Sequence, residues 1–154
     1  MKTPATYLLL LSVAFLLTGC SAKQNKQLRA HQALLSDFSM GTMPTEDKID
    51  AMATSFVKLM NESLSILDPR KGLAYVKKYH QQNQPAIDTI LEEVSDWQSK
   101  MNTLDKINFV ASMVQKPYTK ELVDLVPKFQ RKYNQVKFIS NAAGKLKEIV
   151  TFGK

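Results

Sequence analysis

Three side chains hold most of the chemistry this sequence could perform unaided: one cysteine, Cys20, and two histidines, His31 and His80. A mononuclear metal site wants three or four nitrogen, oxygen or sulfur ligands. No His-x-x-x-His, Glu-x-x-His or cysteine cluster supplies them. Glu92, Glu93 and Asp96 leave only a carboxylate site open, and their spacing reads more simply as a solvated helix face. Nucleophilic catalysis lacks a frame too, because there is no Gly-x-Ser-x-Gly and the glycines are too scattered to cradle a phosphate. The chain therefore reads as a non-enzyme, with no cofactor and no metal. His31 lies in a polar leader that assigns it no role. His80 falls on an apolar seam beside Asn83, where a buried histidine partnered by an amide or tyrosine is a plainer reading than a ligand.

The cysteine has a context. Lys2 and the α-amine precede an apolar run from Tyr7 to Leu17, and the run closes on Leu17-Thr18-Gly19-Cys20. A basic start, a short apolar stretch and small residues before a cut are the build of a secretory signal peptide. Eleven helical residues reach roughly 16 Å, against about 30 Å of bilayer hydrocarbon, so the run is too short to span. Leu-Thr-Gly-Cys resembles the lipobox of bacterial lipoproteins. The resemblance covers only the first 20 residues. It implies that residues 1–19 are removed and that Cys20, diacylated on sulfur, becomes the new N-terminus. It also implies a place in the bacterial cell envelope, held to the membrane through lipid on Cys20. Ser21, where an aspartate would favour inner-membrane retention, leans toward the outer membrane facing the periplasm. The rival readings are an uncleaved anchor and an ordinary signal peptide with a chance cysteine.

Removing residues 1–19 leaves 135, enough for one domain that buries a core without disulfides. That part carries 20 basic and 14 acidic residues. Residues 21–45 have a net charge of +2, residues 46–105 of −3 and residues 106–154 of +7. A basic last third suits an anionic partner, and sequence charge argues about association rather than fold. The candidates for such a contact are Lys120, Lys128, Arg131, Lys137 and Lys145. At about 100° per residue, Lys120, Arg131 and Lys145 lie opposite the apolar stripe, while Lys128 and Lys137 flank it. Lipid headgroups or an envelope glycan suit the compartment, nucleic acid does not, and a merely solvated face explains the same spread.

The elements that must position these groups read as helices. Residues 20–44 form a lipid-anchored polar tether, with a possible short helix through Leu34, Leu35 and Phe38 and a loop at Ser39 to Thr45. Thr45 is the expected cap of a helix from about 46 to 67, striped by Ile49, Met52, Phe56 and Leu59. Asp68-Pro69 starts the most regular stripe: Leu73, Val76, His80, Asn83, Ile87, Ile90, Val94, Trp97 and Met101, with Trp97 expected in the core. Pro85 interrupts that stripe, as a kink or as a joint between two nearly collinear helices. Asn102 or Thr103 caps a shorter helix that turns Leu104, Ile107, Val110, Ala111 and Val114 inward. Thr119 opens a last long helix, kinked at Pro127 and continuing through Tyr133 to Val150.

No segment alternates like a strand. The expected fold is all-α, an antiparallel bundle of four to five helices over residues 45–151, with the long ones kinked at Pro85 and Pro127. The leading functional reading is a membrane-tethered envelope lipoprotein acting as a structural or interaction module on a protein or anionic envelope partner. The alternative is a periplasmic ligand-binding or chaperone-like bundle, with a groove of about 300 Å³ or more opened by the two prolines.

Overall fold

In a computed structural model, residues 20–40 and 43–152 are described, so the segment 1–19, the Gly41-Thr42 part of the expected loop, and Gly153 and Lys154 lie outside them. Helix formation starts at once after Cys20. The Ser21 hydroxyl accepts from the Gln24 backbone N–H at 3.3 Å, and the Gln24 side chain accepts from the Ser21 N–H at 2.7 Å. This reciprocal cap satisfies two donors that a helix start otherwise leaves unpaired. Helix α1 then runs from Ala22 to Met40. It is no tether, because Leu28, His31 and Leu35 are buried on one face. A stripe of three residues, one of them a histidine, is too sparse to register as apolar periodicity.

Five more helices follow: α2 Thr45–Leu64, α3 Pro69–Ser99, α4 Thr103–Val114, α5 Pro117–Lys132 and α6 Lys137–Thr151. The described residues are thus all-helical, with six helices, five of them over residues 45–151 and α1 before them. Helix α2 is central and touches α1, α3 and α5, while α6 packs on α3, α4 and α5. Its cap is Pro44 rather than Thr45, with no side-chain hydrogen bond, and Glu46 and Asp47 face the positive end of its dipole. Asp68 caps α3 by accepting from the Arg70 and Lys71 N–H groups at 2.9 and 3.3 Å. Asn102 caps α4 by accepting from Asp105 N–H at 2.9 Å.

Helix α3 continues through Pro85, and α5 through Pro127. Both prolines are exposed. The carbonyls that lose a partner belong to the exposed residues Gln81 and Val123, where water can serve them. The expected last helix instead divides. Tyr133 leaves the helical region at φ −123° and ψ 31°, and α6 starts afresh at Lys137. Phe129, Tyr133, Val136 and Ile139 are all buried across that turn, so three- and four-residue spacing could not reveal the break. The turn is held by Tyr133 O–H donating to Ser63 O at 2.7 Å and by Ser140 O–H donating to Tyr133 O at 3.0 Å.

Two core assignments change. Trp97 is half-buried, set edge-on to Phe109 at 5.3 Å between ring centroids, and Leu73 and Met101 are half-buried as well. Helix α4 buries Phe109 and Met113, not the expected stripe, and leaves Leu104, Ile107 and Val114 60–65% exposed. This short helix is apolar on most sides. Packing turns inward the side whose Phe109 ring also meets Phe152, at 6.2 Å.

Gly72 marks a close approach between α3 and the turn after α5. A Cβ there would lie 2.5 Å from the Tyr133 hydroxyl oxygen, which is fixed by its bond to Ser63. Gly72→Ala should therefore cost about 1–2 kcal/mol in urea unfolding, despite a helix-propensity gain of about 1 kcal/mol. Adding Tyr133→Phe should recover part of that loss, and a midpoint raised by Gly72→Ala alone would show that Tyr133 yields freely.

Candidate functional site

The chain comes together most densely in polar groups near Cys20. Glu62, in the last turn of α2, accepts a short hydrogen bond from Tyr75 O–H of α3 and faces His31 Nε2 of α1 at 3.1 Å. The other histidine nitrogen, Nδ1, lies 2.7 Å from Ser55 Oγ, which lies 2.8 Å from Tyr79 Oη. Burial lowers the His31 pKa from its ordinary value against the opposing pull of Glu62, and burial with the Glu62 carboxylate raises that of Tyr75. Five side chains from three helices thus form one connected network.

Serine, histidine and glutamate in contact suggest a hydrolytic triad, but this geometry does not serve one. Ser55 and His31 are 1% and 2% exposed, and the serine hydroxyl already has Tyr79 as a second partner. No substrate atom could reach Ser55 without displacing α1 or α3. The arrangement can instead lock α1 and α3 onto α2, since unpaired polar groups in this core would be costly. Composition gave no sign of it, because its members lie up to 48 positions apart in the chain.

His80 does not find the expected amide or tyrosine partner. Its ring stacks on Phe138 of α6 at 4.6 Å, and its Nε2 has no hydrogen-bond partner. Asn83 is buried and donates to Tyr79 O at 2.9 Å. Among the described residues, no group of three His, Cys, Asp or Glu side chains could hold a metal ion.

Cys20 is half-buried against the core, and burial raises its thiol pKa. A groove beside it is lined by Ser21, Gln24, Glu62, Ile66 and Tyr75. Several contacts bring the start of α1, the end of α2, the start of α3 and the end of α5 to this same end. Lys78 of α3 donates to Asn25 Oδ1 of α1 at 2.8 Å, and Lys132 of α5 donates to Ile66 O at 3.2 Å.

The five basic candidates do not form one patch. Arg131 lies in the last turn of α5, Lys128 one turn earlier, and Lys137 starts α6, so these three approach the Cys20 end. Lys120 sits in the first turn of α5, toward the other end. Lys145 lines a groove between α3 and α6 with Asp88, Glu92 and Glu148. That groove measures about 510 Å³ but is open and mixed in charge, and neither proline lines it. A second, of about 580 Å³, runs between α2 and the start of α5, again away from both prolines.

The chain matches no family model, no curated protein and no solved structure. Among the described residues, no helix is long and apolar enough to cross a membrane.

Proposed function

We propose that the chain is a lipid-anchored lipoprotein of the bacterial envelope, its helices arranged as an antiparallel bundle that serves as a structural or interaction module. The observation that carries this reading is the junction at Cys20. The Leu17-Thr18-Gly19-Cys20 motif ends where the reciprocal Ser21–Gln24 cap begins, and the described core spans Leu28 to Val150. A cut before Cys20 would remove no described core residue, and it would leave the acylated sulfur one residue before a helix. Ser21 supports sorting to the outer membrane, facing the periplasm. The unpartnered apolar face of α4 supports docking of another envelope component. Leu104, Ile107 and Val114 form it, on the side of α4 turned away from Phe109, and α4 lies near Glu46, roughly 30 Å along α2 from the Cys20 end. The module acts by binding, not by catalysis.

Metabolic labelling with radioactive palmitate tests the anchor. The wild-type chain should take up label, lose residues 1–19 and fractionate with membranes. Cys20→Ala should stay unlabelled and uncleaved. Equal label on both proteins would sink the lipoprotein reading.

A further inference from the structure

The charge that looked like a property of the last third of the sequence is, in three dimensions, a property of one end. Helix α1 brings Lys23, Lys26 and Arg29 in its first two turns, and α3 brings Arg70 and Lys71 in its first. Helix α5 adds Arg131 and Lys132 in its last turn, and α6 adds Lys137 in its first. The carboxylates at this end are turned to other work. Glu62 points inward to Tyr75 and His31, and Asp68 caps α3. At the opposite end the balance reverses. Glu46, Asp47 and Asp50 begin α2, and Glu92, Glu93 and Asp96 lie in the last two turns of α3. Lys48 and Lys116 there are paired with Glu93 and Asp50.

Two further observations give the basic end an orientation. Leu67, in the α2–α3 turn that Lys132 braces, is 96% exposed. And Cys20 has no spacer: Ser21 is already the cap of α1. Resting on the lipoprotein reading, acyl chains on Cys20 would hold this end, and no other, at the level of the headgroups.

We infer that the Cys20 end of the bundle is a docking surface for an anionic phospholipid bilayer, with Leu67 entering the interface and the basic helix ends seated on lipid phosphates. The bundle then stands upright on the membrane and presents α4 to the periplasm. The lipid supplies attachment, and the basic end supplies orientation. Attraction of this kind is screened over about 10 Å at 0.1 M salt, so it acts only on charges held against the surface.

The acyl-free domain, residues 21–154, tests the surface without the anchor, since it contains every described core residue. Its flotation is followed with vesicles of phosphatidylcholine mixed with phosphatidylglycerol, and with vesicles of phosphatidylcholine alone. It should float with the anionic vesicles, release in high salt and ignore the neutral ones. Lys71→Gln with Arg131→Gln should weaken partition about 30-fold, at about fivefold per charge. Leu67→Ser should weaken it about tenfold. Lys100→Gln with Lys120→Gln removes the same charge from the other end and should change it less than about twofold. All five positions are exposed, and an unchanged urea midpoint would confirm that each variant folds. Equal loss from both double charge variants, equal flotation with neutral vesicles, or retention by soluble polyphosphate without flotation would each overturn the surface. Palmitate labelling of the full chain is read separately. Labelled Cys20 with no flotation leaves the anchor and removes the surface, and flotation without label does the reverse.

Discussion

Phe56→Ala is expected to lower stability by about 3–5 kcal/mol, the range for truncating a fully buried aromatic side chain. Phe56 has no exposed surface and lies mid-way along α2, the helix that touches α1, α3 and α5. Its ring stands edge-on to Tyr79 at 6.0 Å. The cavity left behind could not readily collapse, because Tyr79 is held through Ser55 to His31. Trp97→Ala removes a larger side chain and should cost less, about 1–2 kcal/mol, since Trp97 is half-buried at the edge of α3. Urea unfolding of residues 21–154 measures both. A Trp97 effect equal to that of Phe56 would mean that the core extends under α4.

The second large effect centres on His31. His31→Ala should cost on the order of 3 kcal/mol, because it leaves Ser55 without one partner, takes from Glu62 a partner that Tyr75 and the more exposed Lys58 do not replace, and opens a gap under α1. The pH dependence is more diagnostic. Burial holds the folded imidazole below its ordinary value of 6.5, although Glu62 beside it pulls the other way. The groups facing the ring are Ser55, Glu62 and Tyr79, with Lys58 beyond Glu62. As pH falls below about 6.5, the unfolded chain takes up a proton that the folded one resists, so the unfolded state is favoured. Stability should decline through that window and level off once the folded imidazole is also protonated. Above it His31 adds no slope. His31→Gln keeps an amide able to bond Ser55 or Glu62 but removes the titration. Its stability curve should therefore be flatter than the wild type between pH 7 and about pH 5. Parallel curves would show that Glu62 offsets the burial of His31 completely.

The sequence alone determined the helical class and several helix boundaries, because these depend on local chemistry. Asp68 before Pro69 and Asn102 before Thr103 satisfy backbone donors within a few residues, whatever the rest of the chain does. The Ser21–Gln24 cap is equally local, a serine followed three positions later by glutamine, but it was not read from the sequence. It was hidden by the polarity of the residues after it. The lipobox resemblance also belongs to the sequence, and it lies largely outside the described residues.

Tertiary structure decided whatever depended on a choice among faces or on distance along the chain. Helix α4 is apolar around most of its circumference, so periodicity could not say that Phe109 and Met113 would turn inward and Leu104 and Ile107 outward. The stripe across Tyr133 kept its spacing through a turn, because the turn residues are buried too. His31, Ser55, Glu62, Tyr75 and Tyr79 became one network only when α1 and α3 closed on α2. Charge shows the difference most clearly. Along the chain, the basic residues thicken toward the C-terminus. In the fold, the starts of α1, α3 and α6 and the end of α5 share one end of the bundle, so lysines and arginines far apart in sequence add to a single field beside Cys20. Hydropathy and capping act over a few residues and can be read in order, whereas an electrostatic surface is a sum over neighbours that only folding assigns.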